Sequence, residues 1–338
     1  MKLSIVDVST VPPGKTRHET LQNSIELAQH AERWGYERFW VAEHHSAPFA
    51  AGRVPEVFIA AIAAQTKTIK VGSGSVLLNH YSAFKVAEVF STLNELYPGR
   101  INLGAGRATT GPVSDLALQQ DRSKQFRANS DEQITELVAW LDNSFPKDHP
   151  FSQVAVYTDE NKPELYLLGS SSWSAGAAAA LGLCYVFAGF INQGQAYSII
   201  NSYRQNFKSA EGLAGVQKPE VILSVHAVCA DTEEEASRQL APVHIMYRNL
   251  SKGDIHSMIP GPDEAVKKLG GLPKIEKYTA GSGVPPRFVG GTQESVQHQL
   301  EDLAKDFDVD EIMIQDMVTD PPARLRSYEL MAEIIEGD

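Results

Sequence analysis

A chain of 338 residues, 43% of them hydrophobic, with a formal net charge of −12, has material for a large core and lacks the clustered positive charge that nucleic acid or an anionic membrane demands of a partner. Its two cysteines, Cys184 and Cys229, both sit in strand-like apolar runs and read as buried, inert thiols of a reducing compartment rather than as a disulfide framework. The first residues form a strand-like segment without a basic region and long apolar stretch, so neither a secretory signal nor a membrane span is expected and the expected location is cytoplasmic.

In chain order, residues 3–8 read as a strand and residues 19–34 as an amphipathic helix, with Leu21, Ile25, Ala28 and Ala31 on one face and Gly35 at its end. Residues 38–42 form a second strand, and a helix enters at Pro55 and runs to residue 65. The third strand, 70–78, carries Gly72 and Gly74. A helix over 83–96 then stops at Pro98-Gly99. Residues 100–104 are the fourth strand, followed by a polar loop and a helix over 131–141. Strands at 164–168, 184–188 and 221–230 alternate with helices at 174–181, 196–207 and from 232 to about 240. The last strand, 311–314, lies between helices at 293–305 and 322–335.

Eight strands alternating with helices imply a parallel sheet with right-handed crossovers, and eight such units in this length fit an α/β fold of the closed (β/α)8 TIM barrel type, as one domain over 1–338. Two stretches interrupt the pattern, at 142–163 and at 242–290. The longer follows the seventh strand, where a barrel places it beside the mouth, and it is expected to act as a mobile lid.

The unusual residues fall at the carboxyl ends of strands, where a barrel assembles its chemistry. After the second strand come Glu43, His44 and His45, three ionisable groups in a row. Adjacent side chains on extended backbone point to opposite faces, so one of the two histidines at most faces a pocket unless the chain turns there. Imidazole suits general acid–base work or a hydrogen bond to a ring heteroatom; the alternative is a structural hydrogen-bonding pair. The run Gly72-Ser73-Gly74-Ser75 presents almost no side-chain bulk, which accommodates either a flat ligand ring or tight packing beneath a bend. Gly104-Ala105-Gly106-Arg107 ends the fourth strand with small residues and a fork of cationic donors. Gly169-Ser170-Ser171-Ser172 leads into a helix, where serine hydroxyls and free N–H groups suit a phosphate as well as an N-cap. With Arg107 on a neighbouring strand end, a phosphomonoester site is favoured. Neither a P-loop nor a dinucleotide-binding glycine fingerprint is present.

Taken together, Phe39-Trp40-Val41-Ala42-Glu43-His44-His45, Val71-Gly72-Ser73-Gly74-Ser75, Val86-Ala87-Glu88, Tyr97-Pro98-Gly99-Arg100-Ile101-Asn102 through Arg107, and Leu168-Gly169-Ser170-Ser171 resemble the luciferase-like flavin-dependent monooxygenases, most closely their MsnO8-type single-component bacterial branch. The resemblance spans nearly the whole chain. It implies FMN at the barrel mouth, its phosphate held by Arg107 and the Gly169-Ser170-Ser171 turn, its ring leaning on a non-prolyl cis peptide at Gly74-Ser75, and His44 near the reactive edge as the catalytic residue. It implies reduced flavin supplied by a separate flavin reductase, O₂ and a small organic molecule as substrates, oxygenation through a C4a-(hydro)peroxyflavin, and a homodimer. Gly106 stands where luciferase has a reactive cysteine, so aldehyde binding and light emission do not carry over. No metal is expected. The alternatives are an F420-dependent dehydrogenase of the same fold, a non-catalytic flavin-binding protein, and a metal-dependent hydrolase using Glu43, His44 and His45.

Overall fold

The computed structural model describes residues 1–119, 130–156, 162–210, 215–254 and 256–335. Its strands, all parallel, are β1 (Lys2–Asp7), β2 (Arg38–Val41), β3 (Lys70–Ser73), β4 (Val76–Leu77), β5 (Ile101–Gly106), β6 (Glu164–Gly169), β7 (Cys184–Ala188), β8 (Val221–Cys229), β9 (Phe288–Gly291) and β10 (Glu311–Gln315). Met313 of β10 pairs with Ser4 of β1 on one side and Ser224 of β8 on the other, and this closes the sheet. The closed ring runs β1, β2, β3, β5, β6, β7, β8, β10, the eight strands that the alternation predicts. β4 prolongs the third strand beside β5, and β9 pairs with the end of β8.

The helices are α1 (Arg17–Arg33), α2 (Pro55–Gln65), α3 (Ala83–Leu96), α4 (Pro112–Leu118), α5 (Ser130–Asp142), α6 (Ser172–Leu181), α7 (Ala196–Asn206), α8 (Glu233–Leu250), α9 (Pro262–Leu269), α10 (Gln293–Phe307) and α11 (Pro321–Ile335). Two-residue alternation along each strand sorts the core into two layers. Leu3, Ile5, Phe39, Val41, Leu103 and Ile312 pack outward under the helices. Val6, Trp40, Tyr166, Val186, Ile222 and Met313 fill the interior.

The amino-terminal end of the barrel is plugged by a buried polar network. Arg38 grips Glu311 with Nε to Oε1 at 2.8 Å and Nη2 to Oε2 at 2.9 Å, and its Nη1 donates to Asn102 Oδ1 at 3.0 Å and Tyr166 Oη at 2.6 Å. Higher in the interior, a Cβ on Gly104 would lie 2.0 Å from the Ser73 carbonyl oxygen, and one on Gly72 would meet the Asn102 carbonyl oxygen at 2.4 Å and Trp40 Nε1 at 2.8 Å. Gly72 and Gly104 are therefore required by packing inside the barrel, which favours the packing reading at Gly72.

Three segments depart from expectation. The third strand breaks after Ser73 and resumes as β4, and in the break lies the cis Gly74–Ser75 peptide that the resemblance implies. The polar loop after β5 contains α4, whose Val113 and Leu116 stay exposed, so no apolar face announces it. Asp115 secures its entry by accepting from the Thr110 N–H at 2.8 Å and from the Thr109 hydroxyl at 2.5 Å. Residues 242–290 are largely built into the fold. α8 continues through Pro242 to Leu250, because Val243 and Met246 join the inner core and Ala241 and Ile245 pack on Ala265 of α9; tertiary burial outweighs the proline's lost hydrogen bond. Further on, Tyr278 Oη donates to Asp306 of α10 at 2.8 Å, and the Gly281 N–H donates to the same carboxylate. Among the described residues, no helix is long and apolar enough to cross a membrane.

Candidate functional site

The residues singled out from the sequence follow four neighbouring strands, β2, β3, β5 and β6, and form one continuous arc at the carboxyl-terminal rim. At β2, the chain turns so that the two histidines separate. The His45 ring lies 2.5 Å from Glu43 Oε1, which also accepts from Tyr81 Oη at 2.6 Å, while Glu43 Oε2 accepts from the Leu77 N–H at 2.9 Å. Glu43 and His45 thus clasp the backbone beyond β3; the Glu43 side chain has no exposure at all. Burial, the hydrogen bond to Glu43 and that carboxylate's charge push the Tyr81 phenol well above its ordinary range, which keeps it a donor.

His44 is left for other work. Its N–H donates to the Gly52 carbonyl at 3.2 Å, its ring lies 6.2 Å from that of Phe49, and its Nδ1 is buried without a partner. Burial pushes the imidazole down from 6.5 to about 4, with the neighbouring Glu43 opposing the shift, so it is neutral at pH 7. A sequestered ring nitrogen with nothing to bond is the kind of atom a ligand satisfies.

At β3 and β5 the arc tightens. Ser75 lies against Gly106, where a Cβ would come within 2.2 Å of its Oγ. Next along, the Arg107 guanidinium stacks on the Trp173 ring, 3.9 Å from its centroid. Trp173 lies in the first turn of α6, whose N-cap is Ser171. Ser171 and Ser174 form a reciprocal capping box, with Ser174 N–H to Ser171 Oγ at 3.4 Å and Ser171 N–H to Ser174 Oγ at 3.3 Å. Gly169 is needed here because any Cβ would strike Ser174 Oγ at 2.4 Å. Asn192, from the loop after β7, donates to the Ser170 carbonyl at 2.9 Å and fixes the turn. Ser171 and Ser172 stay exposed at the start of a helix whose first N–H groups have no intrahelical acceptor. Arg107 and the serine turn therefore meet at one place, joined by an aromatic face. These donors fit a phosphate monoester, and the orphaned His44 nitrogen fits a polar ring edge.

Beyond β6 lie groups that the sequence reading missed. His226, inside the apolar run of β8, bonds Tyr247 Oη through Nε2 at 3.0 Å and faces the Gln315 carbonyl through Nδ1 at 3.3 Å. Burial pushes it down to about 3. Phe190, Phe288 and Tyr247 surround it, with ring centroids at 4.6, 5.6 and 5.8 Å. The available signal was a polar residue at an inward position near a strand's carboxyl end. Among the described residues, no group of three or more histidine, cysteine or acidic side chains is arranged to hold a metal, and Glu43 and His45 are spent on each other and on Tyr81.

The profile of the luciferase-like monooxygenases matches residues 1–308. The chain belongs to that family. As a luciferase-like monooxygenase it is 34% identical over 344 residues to the N-acetyl-S-alkylcysteine monooxygenase of Bacillus subtilis, covering 99% of this chain and 98% of the relative. The crystal structure of apo-MsnO8 superposes with a TM-score of 0.88 at 41% identity, covering 99% of this chain and 98% of that one. The oxygenating constituent of 3,6-diketocamphane monooxygenase from Pseudomonas putida, solved with FMN, shares the fold at 20% identity and a TM-score of 0.70, over 98% and 97% of the two chains. The luciferase-like oxidoreductase expected from the sequence is thus borne out, as is the barrel.

Proposed function

We propose that this luciferase-like monooxygenase takes reduced FMN from a separate reductase and O₂ from solution, and oxygenates a small organic molecule. The observation that carries this reading is the junction of Arg107 with the serine turn through Trp173, on an arc that also holds His44. Reduced FMN supplies, when bound, the two electrons that let one atom of O₂ enter the substrate while the other leaves as water. The chain's own residues bind, orient and exclude water. Arg107 offers a planar fork to the phosphate, while the Ser170 and Ser171 hydroxyls and the first N–H groups of α6 complete its shell, aided by the helix dipole. The backbone of Gly74 and Ser75 would support one face of a flat ring, and His44 would hold or take a proton at Nδ1. The FMN in the Pseudomonas putida structure and the small thioether substrate in the Bacillus subtilis relative's name accord with this cofactor and substrate size.

The test is a spectral titration with oxidised FMN, riboflavin and F420. Arg107→Ala is expected to weaken FMN by about 10- to 100-fold, the worth of charge-assisted hydrogen bonds to a phosphate, and to leave riboflavin nearly unchanged. Tight binding of F420 in place of FMN would turn the reading to a dehydrogenase, and stable FMN binding without O₂-dependent turnover would turn it to a flavin-binding protein.

The lid expected over 242–290 is proposed to close the mouth through its part outside the stretch that Tyr278 and Gly281 fasten to α10. A cytoplasmic location is proposed, in keeping with the two buried free thiols. We also assign a homodimer interface to α2 and α3, which flank a groove of about 540 Å³ lined by Glu56, Val57, Ala60, Lys85, Val89 and Thr92 among others. Val57 there is 67% exposed. Val57→Glu is expected to shift sedimentation from dimer to monomer; a monomeric unmodified protein would overturn the assignment.

A further inference from the structure

The half of the mouth away from the proposed flavin arc holds a cation that is in no ion pair among the described residues. Arg287 immediately precedes β9. Its guanidinium lies 4.4 Å from the centroid of the Tyr247 ring, and Nη2 donates to Gln193 Oε1, in the loop after β7, at 3.3 Å. Among the described residues, no carboxylate forms an ion pair with it. Arg287 is half-buried, and two arginines deeper in the barrel do have carboxylate partners, Arg324 in Asp7 and Asp316 and Arg38 in Glu311. In a chain of net charge −12, a guanidinium outside any ion pair places a positive charge at the rim.

Its surroundings are mostly aromatic or already satisfied, with the Glu276 carboxylate near enough to act on His244 alongside Arg287. The Tyr247 hydroxyl is engaged by His226, the His226 imidazole is kept neutral by burial, and Phe190 and Phe288 flank that ring. The imidazole of His244 packs on Phe288 with ring centroids 4.4 Å apart. Pro285 approaches Gly189, so the segment carrying Arg287 lies over the ends of β7 and β8. The wall thus offers an aromatic surface and a single positive charge. Charge on this side serves a group other than the phosphate already provided for at Arg107.

We propose that Arg287 recognises a carboxylate, and that the substrate is a small, otherwise apolar molecule carrying one. A carboxylate matches the guanidinium fork in geometry and charge, and the aromatic wall receives the apolar body. The inference deepens the monooxygenase reading, which supplies the word substrate. The bland role, in which Arg287 merely ties Tyr247 to the loop after β7, predicts no preference for anions.

The probes are four carboxylates (butanoate, octanoate, 3-phenylpropanoate and N-acetylmethionine), each with its primary amide, titrated by calorimetry into the protein with and without oxidised FMN. The expected result is that at least one acid binds about 10-fold or more tightly than its amide. Arg287→Gln is expected to abolish that preference by weakening the acid and leaving the amide within about twofold, and Arg287→Lys to keep part of it. Equal affinity of every acid and amide pair, absence of binding by all eight compounds, or an equal loss for acid and amide in Arg287→Gln would each overturn the proposal. The FMN titration separates the two readings. Acid preference in a protein that binds no FMN would sink the flavin assignment alone, while FMN binding without acid preference would sink the carboxylate site alone.

Discussion

Replacing His44 by alanine is expected to lower the oxygenation rate by about 10²- to 10⁴-fold, the usual worth of a positioned acid–base group, while FMN affinity stays within about threefold. The expectation follows from two facts at one residue. The His44 Nδ1 is buried and unbonded, so the chain itself makes no use of it, and the backbone is pinned by the hydrogen bond to Gly52, so the ring is held in place. Removing the ring deletes a proton acceptor and leaves the Glu43, His45 and Tyr81 clasp intact. Burial holds the imidazole near 4, below its ordinary 6.5, so kcat/KM is expected to show no limb from this residue near pH 6.5 and to fall only as the pH approaches 4. The same depression has a sign for stability. His44 and His226 resist protonation in the folded protein, at about 4 and about 3, whereas the unfolded chain takes up protons near 6.5. Above pH 6.5 they cost nothing. Between pH 6.5 and 4 stability falls progressively, because the unfolded state binds more protons. Turnover in His44→Ala equal to the unmodified protein would discard the catalytic role, and a pH limb near 6.5 that the substitution removes would discard the buried, neutral state.

Much of the barrel and half of its rim were legible because the signals are local. Alternation exposes each strand, and Glu43-His44-His45, Arg107 and Ser170-Ser171 each stand out beside an apolar run. Their spatial conjunction was legible only through topology, since strands that follow one another in a parallel barrel lie side by side. What escaped was fixed by contacts between distant segments. Trp173 reads as one aromatic just before the expected helix at 174–181, and only the fold sets it against Arg107. Arg287 reads as a loop residue after two prolines, and only the pairing of Phe288 with His226 brings it to the mouth. The helix expected from 232 to about 240 runs on through Pro242 to Leu250, because packing on α9 and the inner core outweighs local propensity there. The glycines of β3 and β5 were visible, but their partners, Trp40, Asn102 and Ser73, were not.

Arg38→Met is expected to cost about 3–5 kcal/mol of stability, the usual penalty for stranding one member of a buried ion pair. The substitution keeps most of the side-chain volume, so a cavity is not the cause. Arg38 is the hub of the amino-terminal plug: it satisfies both Glu311 oxygens, Asn102 and Tyr166, and only 6% of its side chain is exposed. Burial disfavours its charge, yet the Glu311 carboxylate and the Tyr166 hydroxyl outweigh that and hold the guanidinium above its usual range. Without it, among the described residues Glu311 keeps the Ser4 hydroxyl, at 2.5 Å, in a place nearly closed to water. The double substitution Arg38→Met with Glu311→Gln removes the orphaned charge and is expected to recover a large part of the loss, which a denaturant titration of the two single variants and the double would read as a coupling of the pair. The plug occupies the end of the barrel opposite the mouth, so FMN affinity per folded molecule is expected to be unchanged in all three. A double variant no more stable than Arg38→Met would mean that the guanidinium contributes packing rather than charge compensation. Weakened FMN binding in a fully folded Arg38→Met protein would mean that the two ends of the barrel are coupled through Trp40, whose Nε1 shares the Asn102 oxygen with Arg38.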